Sequence, residues 1–253
     1  MKCSRRTFLK IAGMSGLALA AGRAFNAEGG SGKFILPSGA LRAKRWAMAI
    51  DPAKCPPDCR DCAAACHEVH NVPDFGNPKD EIKWIWQEPF GDVFPGQGHP
   101  FQSVGFQNRP VIVLCNHCDE PACVRVCPTK ATFKRADGIV MMDYHRCIGC
   151  RFCIAGCPYG ARSMNFRDPR PFIKKVNPDF PTRTRGVVEK CNFCVERLEA
   201  GLPPACVAAC KEKAMVFGDL EDGSSEIRQI LRQRFSIRRK PELGTNPQVY
   251  YLV

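Results

Sequence analysis

"CIGCRFCIAGCP", residues 147–158, spaces Cys147, Cys150, Cys153 and Cys157 with two, two and three residues between them and sets Pro158 after the last. Upstream, "CNHCDEPACVRVCP" (115–128) keeps that frame with a wider middle gap, through Cys115, Cys118, Cys123, Cys127 and Pro128. Two further quartets lie outside these. "CPPDCRDCAAAC" holds Cys55, Cys59, Cys62 and Cys66, and "CNFCVERLEAGLPPACVAAC" holds Cys191, Cys194, Cys206 and Cys210. Of 17 cysteines in 253 residues, only Cys3 stands apart from the four quartets.

Residues 147–158 match, at every position, the C-x2-C-x2-C-x3-C-P run that binds [4Fe–4S] clusters. Three thiolates on one loop wrap three corners of a cube. The fourth, displaced onto the next helical turn, faces away from that cube and ligates a second one in two-cluster ferredoxins. The proline ends the helix. This crossover predicts a third cluster on Cys115, Cys118, Cys123 and Cys157, and a fourth on Cys147, Cys150, Cys153 and Cys127. Two other uses of cysteine were weighed. A disulfide framework suits an even cysteine count, but a chain this long does not need stapling. Zinc accepts four thiolates, and the eleven residues between the pairs of group four leave zinc open there.

Residues 1–27 read as an export signal. Lys2, Arg5, Arg6 and Lys10 precede the short apolar stretch "IAGMSGLALAAG" (11–22), and small residues follow, with Ala20, Ala24 and Ala27 as candidate cleavage sites. That stretch falls short of the ~20 residues a spanning helix needs. Arg5-Arg6 resembles the twin-arginine signal, which implies export of a protein already folded and loaded, hence a periplasmic location. The leader carries five cations and no acid, so its removal takes the net charge from +12 to +7. Four clusters at about −2 each bring the loaded protein to roughly −1. The basic excess therefore reads as internal compensation, and no nucleic-acid partner is expected.

Short strands punctuate the quartets. "VIVLC" enters group two, residues 120–127 form a short helix, and "ATFKRADGIVMMD" makes a hairpin turning at Asp137-Gly138. With "ARSMNF" this defines a compact module over 111–166. "RWAMAID", "GVVEK" and "AMVFGDL" accompany groups one and four, so 44–66 and 186–220 form a second, split module into which the first is inserted. By analogy with the compact module, Cys55, Cys59, Cys62 and Cys210 share a first cluster, and Cys191, Cys194, Cys206 and Cys66 a second. The expected fold is α+β: two ferredoxin-like 2[4Fe–4S] modules, one inserted into the other, with long Pro/Gly-rich loops. Residues 67–110 form an insertion, 167–185 a linker or partner-facing arm, and 221–253 a C-terminal helix and tail. That helix starts at Ser225 with Ile227, Ile230, Leu231 and Phe235 on one face.

"CNHCDEPACVRVCPTKATF", "DYHRCIGCRFCIAGCPYGAR" and "EKCNFCVERLEAGLPPACVAAC" resemble the four-cluster ferredoxin-like electron-transfer subunits of dimethyl-sulfoxide, polysulfide and formate enzymes. The closing "PELGTNPQVYYL" resembles their tails. The leader and "ACHEVHNVPDFGNPKDEIKWIW" are similar, within that family, to the iron–sulfur subunits of Dsr-type membrane complexes in sulfur metabolism. The resemblance implies four [4Fe–4S] clusters, an integral membrane quinone-interacting subunit, a multihaem cytochrome c as a neighbour, and attachment to the membrane through partners. It implies an electron relay, not an enzyme in its own right. The alternatives are a relay for a molybdenum-type, nitrite-reducing or polysulfide-reducing complex, and a disulfide- or zinc-stabilised periplasmic binding protein.

Group one departs from the pattern. Three residues, with Pro56-Pro57 among them, separate Cys55 from Cys59, and His67 stands where the run has proline. A full cube, a three-iron cluster or no cluster are the open readings there. His67 and His70 read as helix-end capping or solvated residues, and His117 as at most a neighbour of a cluster. Ile82, Trp84 and Trp86 alternate as a strand does, facing either the core or a partner, with the core preferred. No nucleotide-binding Gly-rich loop, G-x-S-x-G elbow or H-E-x-x-H motif is present in the sequence.

Overall fold

Strand β1 (Trp46–Ile50) is buried at every residue, because both of its faces are covered. The chain continues through α1 (Asp61–Val69), β2 (Ile85–Pro89), α2 (Phe90–Val93), α3 (Val104–Gln107), β3 (Pro110–Leu114), α4 (Ala122–Arg125), β4 (Thr132–Lys134) and β5 (Val140–Met142). It then forms α5 (Phe152–Ala155), β6 (Ser163–Met164), β7 (Val188–Glu189), α6 (Val195–Glu199), α7 (Ala205–Ala209), β8 (Met215–Asp219), α8 (Glu226–Gln233), β9 (Ser236–Ile237) and β10 (Val249–Leu252). The computed structural model describes residues 37–99 and 101–253. The expected leader, with Arg5 and Arg6, lies outside them.

The fold is mixed α/β. Its one sizeable sheet has the order β8-β1-β10-β9. β1, which precedes the first quartet, runs antiparallel to β8, which follows the fourth, from Trp46 opposite Asp219 to Ile50 opposite Met215. On its other edge β1 runs parallel to β10. Side chains alternate across the sheet. Trp46, Met48 and Ile50 face the main core beside Cys62 and Cys66. Ala47 and Ala49 face the other way, and their small size lets Ile227 of α8 pack down with Leu220 and Leu252.

Three two-stranded ladders complete the frame. β4 and β5 form a hairpin closed at Asp137-Gly138, where Gly138 adopts φ +86° and so needs no Cβ. β2 pairs with β3, joining the 67–110 insertion to the entry of the second quartet. β6, after the third quartet, pairs with β7, before the fourth. Ile82, Trp84 and Trp86 are all buried and serve the core, but only Trp86 lies in a strand, and Ile85 beside it is buried too, so they do not form the alternating strand expected. Among the described residues no helix is long and apolar enough to cross a membrane.

Three expectations need correction. Residues 167–185 are not a free linker or arm. The Asn71 side chain donates to the carbonyl oxygens of Asn177 (2.9 Å) and Phe180 (2.6 Å), and Phe180 and Arg183 are buried. Phe235 does not share the apolar face of α8: the helix ends at Gln233 and Phe235 is 74 % exposed. Residues 221–253 are also more than a helix and tail, because β10 supplies an inner strand of the sheet.

Candidate metal centre

The short helices and ladders gather the sixteen cysteines of the described residues, all of them free thiols, into four neighbourhoods. Cys55, Cys59, Cys62 and Cys210 line one cavity, with Cys55 just after a 3-10 turn at Pro52–Lys54 and Cys210 at the end of α7. Cys66, from the last turns of α1, sits among Cys191, Cys194 and Cys206, each close enough to raise its pKa. Cys115, Cys123 and Cys157 likewise act on Cys118. Cys127, Cys147, Cys150 and Cys153 line a fourth cavity. In each neighbourhood three sulfurs come from one quartet and one from another.

Left-handed backbone wraps the chain around these sulfurs. Phe193 and Cys194 are consecutive residues with φ near +55°, at 55° and 53°, and Arg151 and Gly149 adopt φ of 65° and 68° within the third quartet. Backbone N–H groups also point at the sulfurs. The N–H of Phe193 donates to Cys191 Sγ (3.4 Å), that of Ala205 to Cys194 Sγ (3.4 Å), that of Ala214 to Cys210 Sγ (3.3 Å) and that of Thr132 to Cys127 Sγ (3.5 Å). Hydrogen bonds of this kind favour a thiolate. At Cys127 they outweigh burial and bring its pKa below the ordinary thiol value.

Elsewhere burial and crowding win. Burial, followed by the charges of Cys55 and Cys59, pushes the Cys62 thiol up to about 11. Burial and Cys115 push Cys118 up to about 12. Cys66 and Cys206 are raised well above the ordinary value for the same two reasons. Four such thiols ionise together only around a positive centre, and metal binding then releases their protons. The donor set, four sulfurs per cage with N–H groups aimed at them, fits a [4Fe–4S] group held by four thiolates.

The charged residues around the cages fall into two kinds. Some are paired: Arg183 Nη2 meets Glu189 Oε2 at 2.6 Å with both side chains fully buried, and Glu189 also accepts from the Trp84 indole N–H at 2.9 Å. His70 belongs here as well. It is 1 % exposed, which contradicts the solvated reading. Its Nδ1 lies 2.9 Å from the Cys66 carbonyl oxygen and its Nε2 2.7 Å from Glu196. Burial pulls the His70 pKa down, but hydrogen bonds to Cys194 and Glu196 carry it up to about 9.

Others have no acid beside them. Arg162 is buried, and its Nη2 donates to Cys123 Sγ at 3.0 Å. Lys190 is buried and donates to the carbonyl oxygens of Val140 and Cys191. Burial pulls the Lys190 pKa down, against the thiolates of Cys115, Cys191 and Cys123. Among the described residues neither cation has a carboxylate within ion-pairing distance. Next to them His117, also buried, stacks on Phe193 at 3.7 Å and accepts from the Val140 N–H at 3.1 Å through Nδ1. The sequence reading passed over Arg162, Lys190, Arg183 and Glu189. The one sequence signal for Arg162, Glu189 and Lys190 was a charge adjoining the cysteine runs, in "YGAR" and "EKC", and Arg183 had none.

Comparison with known proteins agrees with this chemistry. The family described as 4Fe-4S dicluster domain matches residues 110–170 and 176–220. The chain is 41 % identical, over 98 % of its length and 97 % of the relative's, to the Hdr-like menaquinol oxidoreductase iron-sulfur subunit 1 of Archaeoglobus fulgidus. It is 38 % identical to Protein NrfC of Escherichia coli K12, over 99 % of this chain and 95 % of that one. It is 36 % identical to the menaquinone reductase iron-sulfur cluster-binding subunit of Nitratidesulfovibrio vulgaris, over 82 % of this chain and 88 % of that one.

Gly149 offers a local test. A Cβ there would collide with the Gly186 carbonyl oxygen, at a φ that L side chains rarely adopt. Gly149→Ala is expected to lower bound iron by about four per chain, measured on anaerobically purified protein. Full iron content in that variant would show that the close approach of Gly149 to Gly186 is not needed to hold a cluster there.

Proposed function

This chain belongs to the family of iron–sulfur electron-transfer subunits, and from that membership we propose that it relays single electrons through four [4Fe–4S] clusters between a quinone-interacting membrane partner and a second redox subunit. The observation that carries the proposal is the gathering of sixteen cysteines into four cages. The ligand sets are Cys55, Cys59, Cys62 and Cys210; Cys66, Cys191, Cys194 and Cys206; Cys115, Cys118, Cys123 and Cys157; and Cys127, Cys147, Cys150 and Cys153. Such clusters supply one-electron carriage at potentials set by ligation, hydrogen bonds and exposure. The fourth sulfur beside the first cage, Cys210, supports a full cube there despite the extra residue between Cys55 and Cys59.

The cages form a row. Cys62, of the first, acts on the pKa of Cys66 and Cys206 in the second. Cys115, of the third, acts on Cys191 in the second. Cys123, of the third, acts on Cys153 in the fourth. The chain's own part is to gather these sulfurs for a metal centre, surround them with apolar side chains and backbone donors, and keep neighbouring cages close enough for electrons to pass. The β1–β8 ladder, which closes the first and last quartets into one body, supports the reading of two ferredoxin-like modules with one inserted into the other.

We read the chain as an electron carrier within an oxidoreductase complex, with bond chemistry done elsewhere. A Dsr-type sulfur-metabolism complex, with a multihaem cytochrome c beside it, is the parent we favour from the leader and the 65–86 segment. The second reading is a relay in a molybdenum-type, nitrite-reducing or polysulfide-reducing complex. Identification of co-purifying subunits from the native membrane separates the two. Arg5 and Arg6 support twin-arginine export and a periplasmic location. Arg5→Lys with Arg6→Lys is expected to leave cluster-loaded protein in the cytoplasm, and normal export of that variant would contradict the location.

About sixteen irons and sixteen acid-labile sulfides per chain are expected on the anaerobic protein. Cys127→Ser and Cys147→Ser are expected to remove one and the same EPR signal, whereas Cys157→Ser removes another. Loss of the same signal from Cys127→Ser and Cys123→Ser would overturn the crossed assignment.

A further inference from the structure

Burying a cation without a carboxylate costs several kcal/mol unless another anion offsets it. Arg162 is 4 % exposed, and among the described residues its guanidinium donates to Thr132 Oγ1 (3.1 Å), Met142 Sδ (3.8 Å) and Cys123 Sγ (3.0 Å), none of them a carboxylate. The contrast with Arg183 is direct, since that guanidinium is neutralised by Glu189. Arg162 stands at a joint in the row. Cys123 belongs to the third cage, and Cys153, in the fourth, feels the same guanidinium, which opposes the upward pull of burial on its thiol. Arginine keeps its charge at any working pH, so this positive charge is a fixed feature of the joint.

We infer that Arg162 is a potential-setting residue: its unpaired guanidinium raises the reduction potentials of the two clusters whose ligands it adjoins, those held in part by Cys123 and Cys153. The inference rests on the four-cluster reading. An added electron makes a thiolate-bound cube more negative, and a cation hydrogen-bonded to a ligand sulfur stabilises the reduced form more than the oxidised one. One electron enters each cube on reduction, with no bond made or broken in the protein. Lys190, buried near Cys115, Cys123 and Cys191 and close enough to Arg162 to be repelled by it, adds a second positive charge beside the third cage. Two buried cations thus adjoin the third cage. A structural role alone, in which Arg162 merely pins Thr132, would leave the potentials in place.

The test is an EPR-monitored redox titration of full-length wild type, Arg162→Gln and Arg162→Lys, with dithionite as the reductant and iron counted in each. With about sixteen irons present, Arg162→Gln is expected to lower two of the four potentials. The larger shift should reach at least a tenfold change in the reduced-to-oxidised ratio at fixed potential, about 59 mV for a one-electron couple. Arg162→Lys, which keeps the charge, is expected to retain most of the wild-type values. Unchanged potentials in a fully loaded Arg162→Gln protein, or an equal fall in all four, would overturn the inference. Should Arg162→Gln load incompletely, wild type labelled with 15N-arginine decides by pulsed EPR. A 15N coupling to a reduced cluster supports the contact, and its absence overturns it. A wild-type count far from sixteen irons would instead sink the four-cluster reading and leave the 15N result to judge Arg162 by itself.

Discussion

Sulfurs carrying negative charge cannot share a buried cage unless a positive centre sits among them. Most of the structure follows from that constraint. Burial and mutual repulsion drive the thiols of Cys62, Cys66, Cys118 and Cys206 upward, so the cages hold their thiolate form only around metal. Backbone N–H groups aimed inward reduce that cost locally, as at Cys127. Buried Arg162 and Lys190 add positive charge where peptide dipoles do not suffice. The +12 formal charge of the chain is thus spent partly inside the molecule.

The backbone frame serves the same end. No quartet lies on a long element, and most helices beside the cages have four or five residues. Such turns cannot stand alone, so long-range pairing has to fix them. β1 does most of this by joining β8 and β10, while the β6–β7 pair ties the segment after the third quartet to the one before the fourth. The 67–110 insertion adds its own anchor: Trp84 is buried, stacks on His70 at 4.4 Å and donates to Glu189. A cysteine-rich chain thereby has a core of ordinary hydrophobic and aromatic contacts around its metal sites.

Much of this was legible in the sequence because its signals are local. The cysteine spacing marked the quartets, Asp137-Gly138 marked the hairpin, and short β-rich runs marked the strands beside the quartets. The missing parts depend on distant partners. The parallel pairing of β10 with β1 has no turn to announce it, and "PELGTNPQVYYL" reads as a tail. Residues 167–185 are held by Asn71, a polar residue that contributes nothing to hydrophobic periodicity. His70, Arg162 and Lys190 belong to residue types usually found at the surface, and only the cages around them explain their burial. Phe235 failed for a simpler reason: the helix stops two residues before it.

Four clusters in a row with crossed ligation would be seen directly by anomalous diffraction at the iron absorption edge on crystals grown anaerobically. Four separate iron centres are expected. Each should be bound by three cysteines of one quartet and one of another, in the order that begins at Cys55 and ends at Cys150. Fewer centres, another metal in a cage, or a quartet whose four cysteines all bind one centre would contradict this arrangement.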